Sequence, residues 1–183
     1  MLYEQLKIWR PFINDSINES SKILDLKAGK ALEIGPSKGN PEQDPRFQSN
    51  PIYSFFKNFE INTACINTDW ADYKLDICDT SSIPEALKEK YDLIFLIEVL
   101  EHTKHPWKAQ ESCFELLKKG GYLLISTPCY IDHHPGRYMS YGDYWRFLPK
   151  SHEILFDKFM LIKENVCAGN SNFPYGIFSI FRK

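Results

Sequence analysis

Apolar residues follow two alternating periods along this chain. From Leu2 to Leu26 the positions Leu2, Leu6, Trp9, Ile13, Ile17, Ile23 and Leu24 recur at helical spacing with a break near Pro11, which predicts two short helices. Lys30-Ala31-Leu32-Glu33-Ile34 reads as a short buried strand running into the turn Gly35-Pro36-Ser37-Lys38-Gly39-Asn40. Prolines at 41, 45 and 51 forbid a regular helix directly after it, so the next helix is expected around Ile52 to Phe59, or the segment is an insertion shaping a pocket rim. Thr63 to Thr68 reads as a second strand and Tyr73-Lys74-Leu75 as a short extended piece, with a helix starting near Ser81 to Glu85. Tyr91 to Ile97 is a continuous apolar run of strand length. A helix is expected from about Pro106 to Lys118, stopped by Lys119-Gly120-Gly121, and Tyr122 to Pro128 is the next buried strand. The final part reads as a helix over Lys150 to Phe159, then strands over Leu161 to Val166 and Tyr175 to Phe181.

Strand, helix, Gly-Gly, strand is the order of a parallel sheet with helices on both faces. The short connection through Gly169 to Pro174 allows the last two strands to pair antiparallel. With 183 residues, 43% of them hydrophobic and 15% aromatic, the chain has material for one domain with a two- or three-layer core. Within it, 1–27 is a helical lead or lid, 28–128 a ligand-binding core, 129–149 a substrate loop and 150–183 a closing helix and strand pair.

Charge and cysteine content narrow the chemistry. A net charge of −2 gives no bulk attraction to nucleic acid, so nucleic acid is not the expected substrate. Five scattered cysteines without a Cys-x-x-Cys pair read as reduced core thiols. No run of 18 apolar residues occurs, and Glu4 and Lys7 fall where a signal peptide would be apolar, so the expectation is a cytoplasmic protein without membrane insertion. The oligomeric state is left open.

Acids and glycines at strand ends carry the candidate chemistry. Glu33 lies inside an apolar strand, where a carboxylate needs partners, so it is expected near the strand's end, bonding the turn or a cationic ligand. Asp69-Trp70 closes the second strand, where an acid is placed to accept from ribose hydroxyls. Asp76-Ile77-Cys78-Asp79 follows the third. Glu98-Val99-Leu100-Glu101-His102 follows Tyr91 to Ile97, and on a helix Glu98, Glu101 and His102 would share a face. A loop rich in tyrosine, with His133, His134, Arg137, Trp145 and Arg146, follows Pro128, at the sheet edge where ligands bind.

These segments, in this order, resemble class I S-adenosylmethionine-dependent methyltransferases of the small-molecule type. The resemblance rests on Glu33-Ile34-Gly35-Pro36-Ser37-Lys38-Gly39, Asp92-Leu93-Ile94-Phe95, Glu98-Val99-Leu100-Glu101-His102, Leu116-Leu117-Lys118-Lys119-Gly120-Gly121 and Ser126-Thr127-Pro128. It implies a Rossmann-like, doubly wound, mostly parallel seven-stranded sheet ending in an antiparallel pair. It also implies S-adenosylmethionine as cofactor and transfer of its methyl group to an oxygen or nitrogen of a small molecule.

Carried over residue by residue, the resemblance assigns backbone access to the cofactor to Gly35, Pro36, Ser37 and Gly39, and support of the turn or the cofactor's ammonium group to Glu33. Asp69 would hold the ribose, Trp70 the adenine face, and Asp76 with Ile77 the adenine edge, with Asp79 as the alternative register. Glu98 joins the cofactor set, and His102 and His134 are the candidate general bases. Two features depart from the pattern: Ser37 stands where a glycine is expected, and prolines replace the following helix. Glu98, Glu101, His102 and His134 (or His133) also resemble the divalent-metal ligands of two branches of the family, but the same run occurs in metal-free members and a metal is not favoured. The tyrosine-rich loop tilts the acceptor toward a sugar or glycan precursor. A cofactor- or partner-binding module without turnover is the alternative reading. A nicotinamide-dependent oxidoreductase is weaker, because the Gly-x-Gly-x-x-Gly order is absent.

Overall fold

The computed structural model describes residues 2–36, 51–66, 71–132, 142–169 and 173–183. Its centre is β1 (Gly29–Ile34), hydrogen-bonded in parallel to β2 (Phe59–Cys65) on one side and to β4 (Tyr91–Ile97) on the other. A strand buried on both faces favours an uninterrupted apolar sequence, and Ala31, Leu32 and Ile34 are at most 3% exposed. Outward lie β3 (Tyr73–Lys74) beyond β2, and β5 (Leu117–Pro128), β7 (Gly176–Arg182) and β6 (Met160–Cys167) beyond β4. The seven-stranded order is β3-β2-β1-β4-β5-β7-β6, parallel as far as β5, with β7 antiparallel to both β5 and β6. This is the Rossmann-like architecture expected.

Successive residues of β4 supply opposite faces of the sheet. Ile94 and Leu96 join the core that holds Leu100, Cys113 and Phe156, whereas Leu93 and Phe95 pack with Trp9, Ile13 and Ile17. All five cysteines are free, and four of them are buried. Among the described residues no helix is long and apolar enough to cross a membrane.

Several boundaries differ from expectation. The leading segment is one helix, α1 (Leu2–Ile23), with Pro11 inside it. Proline in a helix interior costs about 3 kcal/mol, whereas burying a large apolar side chain stabilises by ~1.5–3 kcal/mol. Trp9, Ile13 and Ile17 are each at most 8% exposed, so packing outweighs the break. α2 is only Pro51–Phe55, and β2 starts at Phe59, four positions before Thr63, because Phe59 to Asn62 pair with Gly29 to Leu32. The expected helix near Ser81 is two 3-10 turns, Thr80–Ser82 and Glu85–Leu87.

The long helix before the Gly-Gly pair is also shorter. A 3-10 turn (Pro106–Lys108) precedes α3 (Ala109–Leu116), and the chain is already extended at Leu117, which pairs with Tyr91. Lys118 then reaches Asp92, whose carboxylate also accepts from the Lys30 amide at 2.8 Å. α4 is Ser151–Leu155; β6 extends one residue beyond its expected limits at each end, and β7 is shifted by one residue toward the C-terminus.

Two local features allow sharp tests. Fully buried His152 lies between the Thr127 and Ser179 hydroxyls, at 2.8 and 2.9 Å, which ties α4 to β5 and β7. Burial lowers its pKa from 6.5 to about 3. A histidine held neutral in the fold contributes stability that is present above pH 6.5 and lost as the pH falls from there toward 3. Denaturant midpoints should therefore drop more steeply between pH 7 and 4 in the parent than in His152→Gln; equal slopes would disprove the assignment. At the exit of β1, Gly35 has φ +64°, and a Cβ there would lie 2.9 Å from Val99 Cγ2. Gly35→Ala should lower Tm by several degrees, and Val99→Ala in the same chain should restore only the steric part of that loss.

Candidate functional site

The carboxyl ends of β1, β2, β3 and β4 point the same way and surround a cavity of about 500 Å³. Ile34 and Gly35 enter its wall from β1, Cys65 and Ile66 from β2, Leu75 to Cys78 from the segment after β3, and Glu98, Val99 and His102 from the turn after β4. Thr103, Lys104, His105 and Tyr144 complete the lining.

The sequence-predicted residues divide into three groups. Gly35, Asp76, Ile77, Glu98 and His102 share this wall. Glu33 is 3% exposed and is not among the lining residues; its carboxylate accepts from the Tyr53 hydroxyl of α2 at 3.1 Å, and Pro36 is likewise buried outside the lining. Ser37, Gly39, Asp69, Trp70, His133 and His134 lie outside the described residues.

Asp76 and Asp79 have distinct positions. Asp76 is in the cavity wall, with Oδ1 accepting from the Cys78 amide at 2.8 Å. Asp79 caps the 3-10 turn, accepting from the Ser81 amide at 3.0 Å.

The turn after β4 concentrates the buried polarity. Glu98 adopts φ +55°, a left-handed conformation costing a non-glycine residue ~1–2 kcal/mol. Both its oxygens are engaged: Ser126 Oγ donates to Oε1 at 2.9 Å and Trp9 Nε1 donates to Oε2 at 2.8 Å. Burial raises the Glu98 pKa against the pull of these donors. The chain continues through a 3-10 turn, Leu100–His102, rather than a longer helix. His102 Nδ1 lies 2.8 Å from the Gly142 carbonyl oxygen. A carbonyl only accepts, so Nδ1 carries the hydrogen and Nε2 is the basic nitrogen of the neutral ring.

Glu101 is wholly buried. Neither of its carboxylate oxygens has a hydrogen-bond partner among the described residues, and Oε1 is 3.8 Å from His102 Nε2. Burial and then the neighbouring Glu98 charge push its pKa well up. The Glu101 carbonyl accepts from the Tyr144 amide at 2.7 Å, holding the loop after β5 against this turn, and Arg146 in that loop pairs with Asp143. Among the described residues no group of three or more His, Cys, Asp and Glu side chains is arranged to hold a metal ion.

Sequence reasoning missed Ser126, Cys65, Thr103, Lys104 and His105, and placed Tyr144 only within a general substrate loop. Ser126 carried a signal: it is a polar residue ending the apolar run of β5, and such a residue needs a buried partner. Trp9, within the segment expected as a helical lead or lid, is 1% exposed in the core beneath α1 and reaches the site through its hydrogen bond to Glu98.

Comparisons with known proteins bear on the fold and the family. Over a 39-residue stretch the chain is 51% identical to a ubiquinone biosynthesis O-methyltransferase of Glaesserella parasuis serovar 5 (strain SH0165); the stretch is 21% of this chain and 16% of that protein. The chain thus spans well under a quarter of this relative's length. The N-methyltransferase NodS of Bradyrhizobium japonicum WM9, solved with S-adenosyl-L-homocysteine, has the same fold at a TM-score of 0.62 and 14% identity, covering 94% of this chain and 86% of NodS. A SAM-dependent methyltransferase of Archaeoglobus fulgidus aligns at a TM-score of 0.65 and 13% identity, covering 99% and 98% of the two chains. The methyltransferase domain family matches residues 7–159, and the chain belongs to that family.

Proposed function

We propose that this chain is an S-adenosylmethionine-dependent methyltransferase acting on an oxygen or nitrogen of a small molecule, with a sugar or glycan precursor as the favoured acceptor. The observation that carries this reading is the cavity in which Gly35, Asp76, Ile77, Glu98 and His102 meet. Its volume of about 500 Å³ lies in the range of small-ligand sites. The residues fit the cofactor: Gly35 allows close backbone approach, and Asp76 and Ile77 offer an acceptor and an amide at one end of the cavity. Glu98 offers a carboxylate to a cationic group at the other. Asp69, Trp70, Ser37 and Gly39 complete the set by resemblance.

When bound, S-adenosylmethionine supplies a methyl group activated by its sulfonium charge. The protein's part is to align the acceptor and remove its proton. His102 takes that proton on Nε2, with His134 as the second candidate. The exposed ring of Tyr144 in the cavity wall gives the acceptor an aromatic surface suited to a sugar face. The ubiquinone-pathway relative's name supports an oxygen acceptor and the NodS name a nitrogen acceptor, so both stay within the proposal.

Calorimetric titration with S-adenosylhomocysteine should give micromolar binding in the parent and at least tenfold weaker binding in Asp76→Ala, a loss of about 1.4 kcal/mol. Absence of binding by the parent would remove the cofactor reading. His102→Gln should bind S-adenosylhomocysteine within twofold of the parent, yet lose ~10²–10⁴-fold in methyl transfer to a panel of sugars and amino sugars. Cofactor binding with no transfer to any acceptor in the parent would favour the binding-module reading instead.

A further inference from the structure

The best-anchored side chain of the cavity wall is tied to the N-terminal helix. Glu98 accepts from Trp9 Nε1 at 2.8 Å across 89 positions of sequence. On its other oxygen it accepts from Ser126, whose carbonyl in turn accepts from the Glu98 amide at 3.1 Å. Two donors on one carboxylate fix its direction and oppose, without cancelling, the rise in pKa that burial causes.

Trp9 is itself held rigidly. Its indole stacks on Phe12 at 5.4 Å between ring centroids and fills the space that a Cβ on Gly176 would occupy, 2.3 Å from the ring. One helical turn earlier Gln5, 8% exposed, bridges the chain after β5: its Oε1 accepts from the Asp132 amide at 3.0 Å and its Nε2 donates to the Tyr130 carbonyl at 3.4 Å. Gln5 and Trp9 are four apart and so lie on one face of α1. The helix is therefore pinned at the sheet end that carries the cavity.

Strand order gives the cavity a direction. Asp76 and Ile77 follow β3 at one side, Gly35 follows the central β1, and Glu98 follows β4 at the other side. A ligand whose adenine lies by Asp76 directs its amino-acid arm toward Glu98. We propose that Trp9 is a positioning residue for that arm: through its indole N–H it aims the Glu98 carboxylate at the ligand's ammonium group. The proposal rests on the cofactor reading above and adds to it a residue from outside the cavity wall.

The test compares two probes, S-adenosylhomocysteine and 5′-methylthioadenosine, which lacks the amino-acid arm, by calorimetry on the full chain. Trp9→Phe keeps an aromatic ring against Phe12 while removing the N–H donor together with part of the ring that packs on Gly176. It should weaken S-adenosylhomocysteine about tenfold and 5′-methylthioadenosine less than twofold. Glu98→Gln should show the same selective loss, and Trp9→Phe with Glu98→Gln should lose no more than the larger single change, because both act through one contact. Ile17→Ala, which loosens α1 without touching Glu98, should leave the ratio of the two affinities unchanged, so that instability alone is not read as positioning.

Equal weakening of both probes, unchanged binding in Trp9→Phe, or additive losses in the double variant would each overturn the role of Trp9 while leaving the cofactor site in place. Failure of the parent to bind either probe would overturn the cofactor reading, and the role of Trp9 with it.

Discussion

Everything in this molecule depends on β1 being paired in parallel on both sides. Parallel neighbours send their carboxyl ends in one direction, and the connections after β1 and β4 must then diverge, since β2 lies to one side and β5 to the other. Chains leaving a sheet in opposite directions open a crevice at the point of divergence. The cavity lies there, with Gly35 and Glu98 as the first residues beyond the two strands. The backbone has little room at that point: Gly35 is left-handed with Val99 pressed against it, and Glu98 is left-handed without being glycine.

Such a turn is held by its polar contacts. Glu98, Glu101 and Asp143 bring three carboxylates into a region where Arg146 is paired with Asp143, and burial opposes ionisation of both glutamates. Glu98 is supported by donors from α1 and β5, whereas Glu101 is left unsatisfied among the described residues. Buried unsatisfied polar groups cost stability and concentrate at functional sites. The strain and the uncompensated carboxylate fall at the same turn, which faces the cavity through His102.

The legibility of the chain tracks the range of the interactions involved. β4 was read to its exact limits because an uninterrupted apolar run needs only local sequence to be recognised. The single α1 was not, since the intrinsic effect of Pro11 is overridden by burial of Trp9, Ile13 and Ile17 against the sheet. The early start of β2 and the shortened α3 were missed for a related reason: Phe59 and Leu117 are extended because Gly29 and Tyr91 are beside them. The expected site residues that line the cavity are Gly35, Asp76, Ile77, Glu98 and His102, all of which follow strand ends and carry their own signal.

By itself the sequence determined the order of the strands, the parallel character of the sheet and the family, because period, turn chemistry and motif order are local properties that survive any packing detail. Only the tertiary structure decided that Asp76 lines the cavity, that Glu33 bonds Tyr53, and that Trp9 reaches Glu98. Those outcomes depend on contacts between residues far apart in sequence, whose distances and directions are set by packing and leave no local pattern to read.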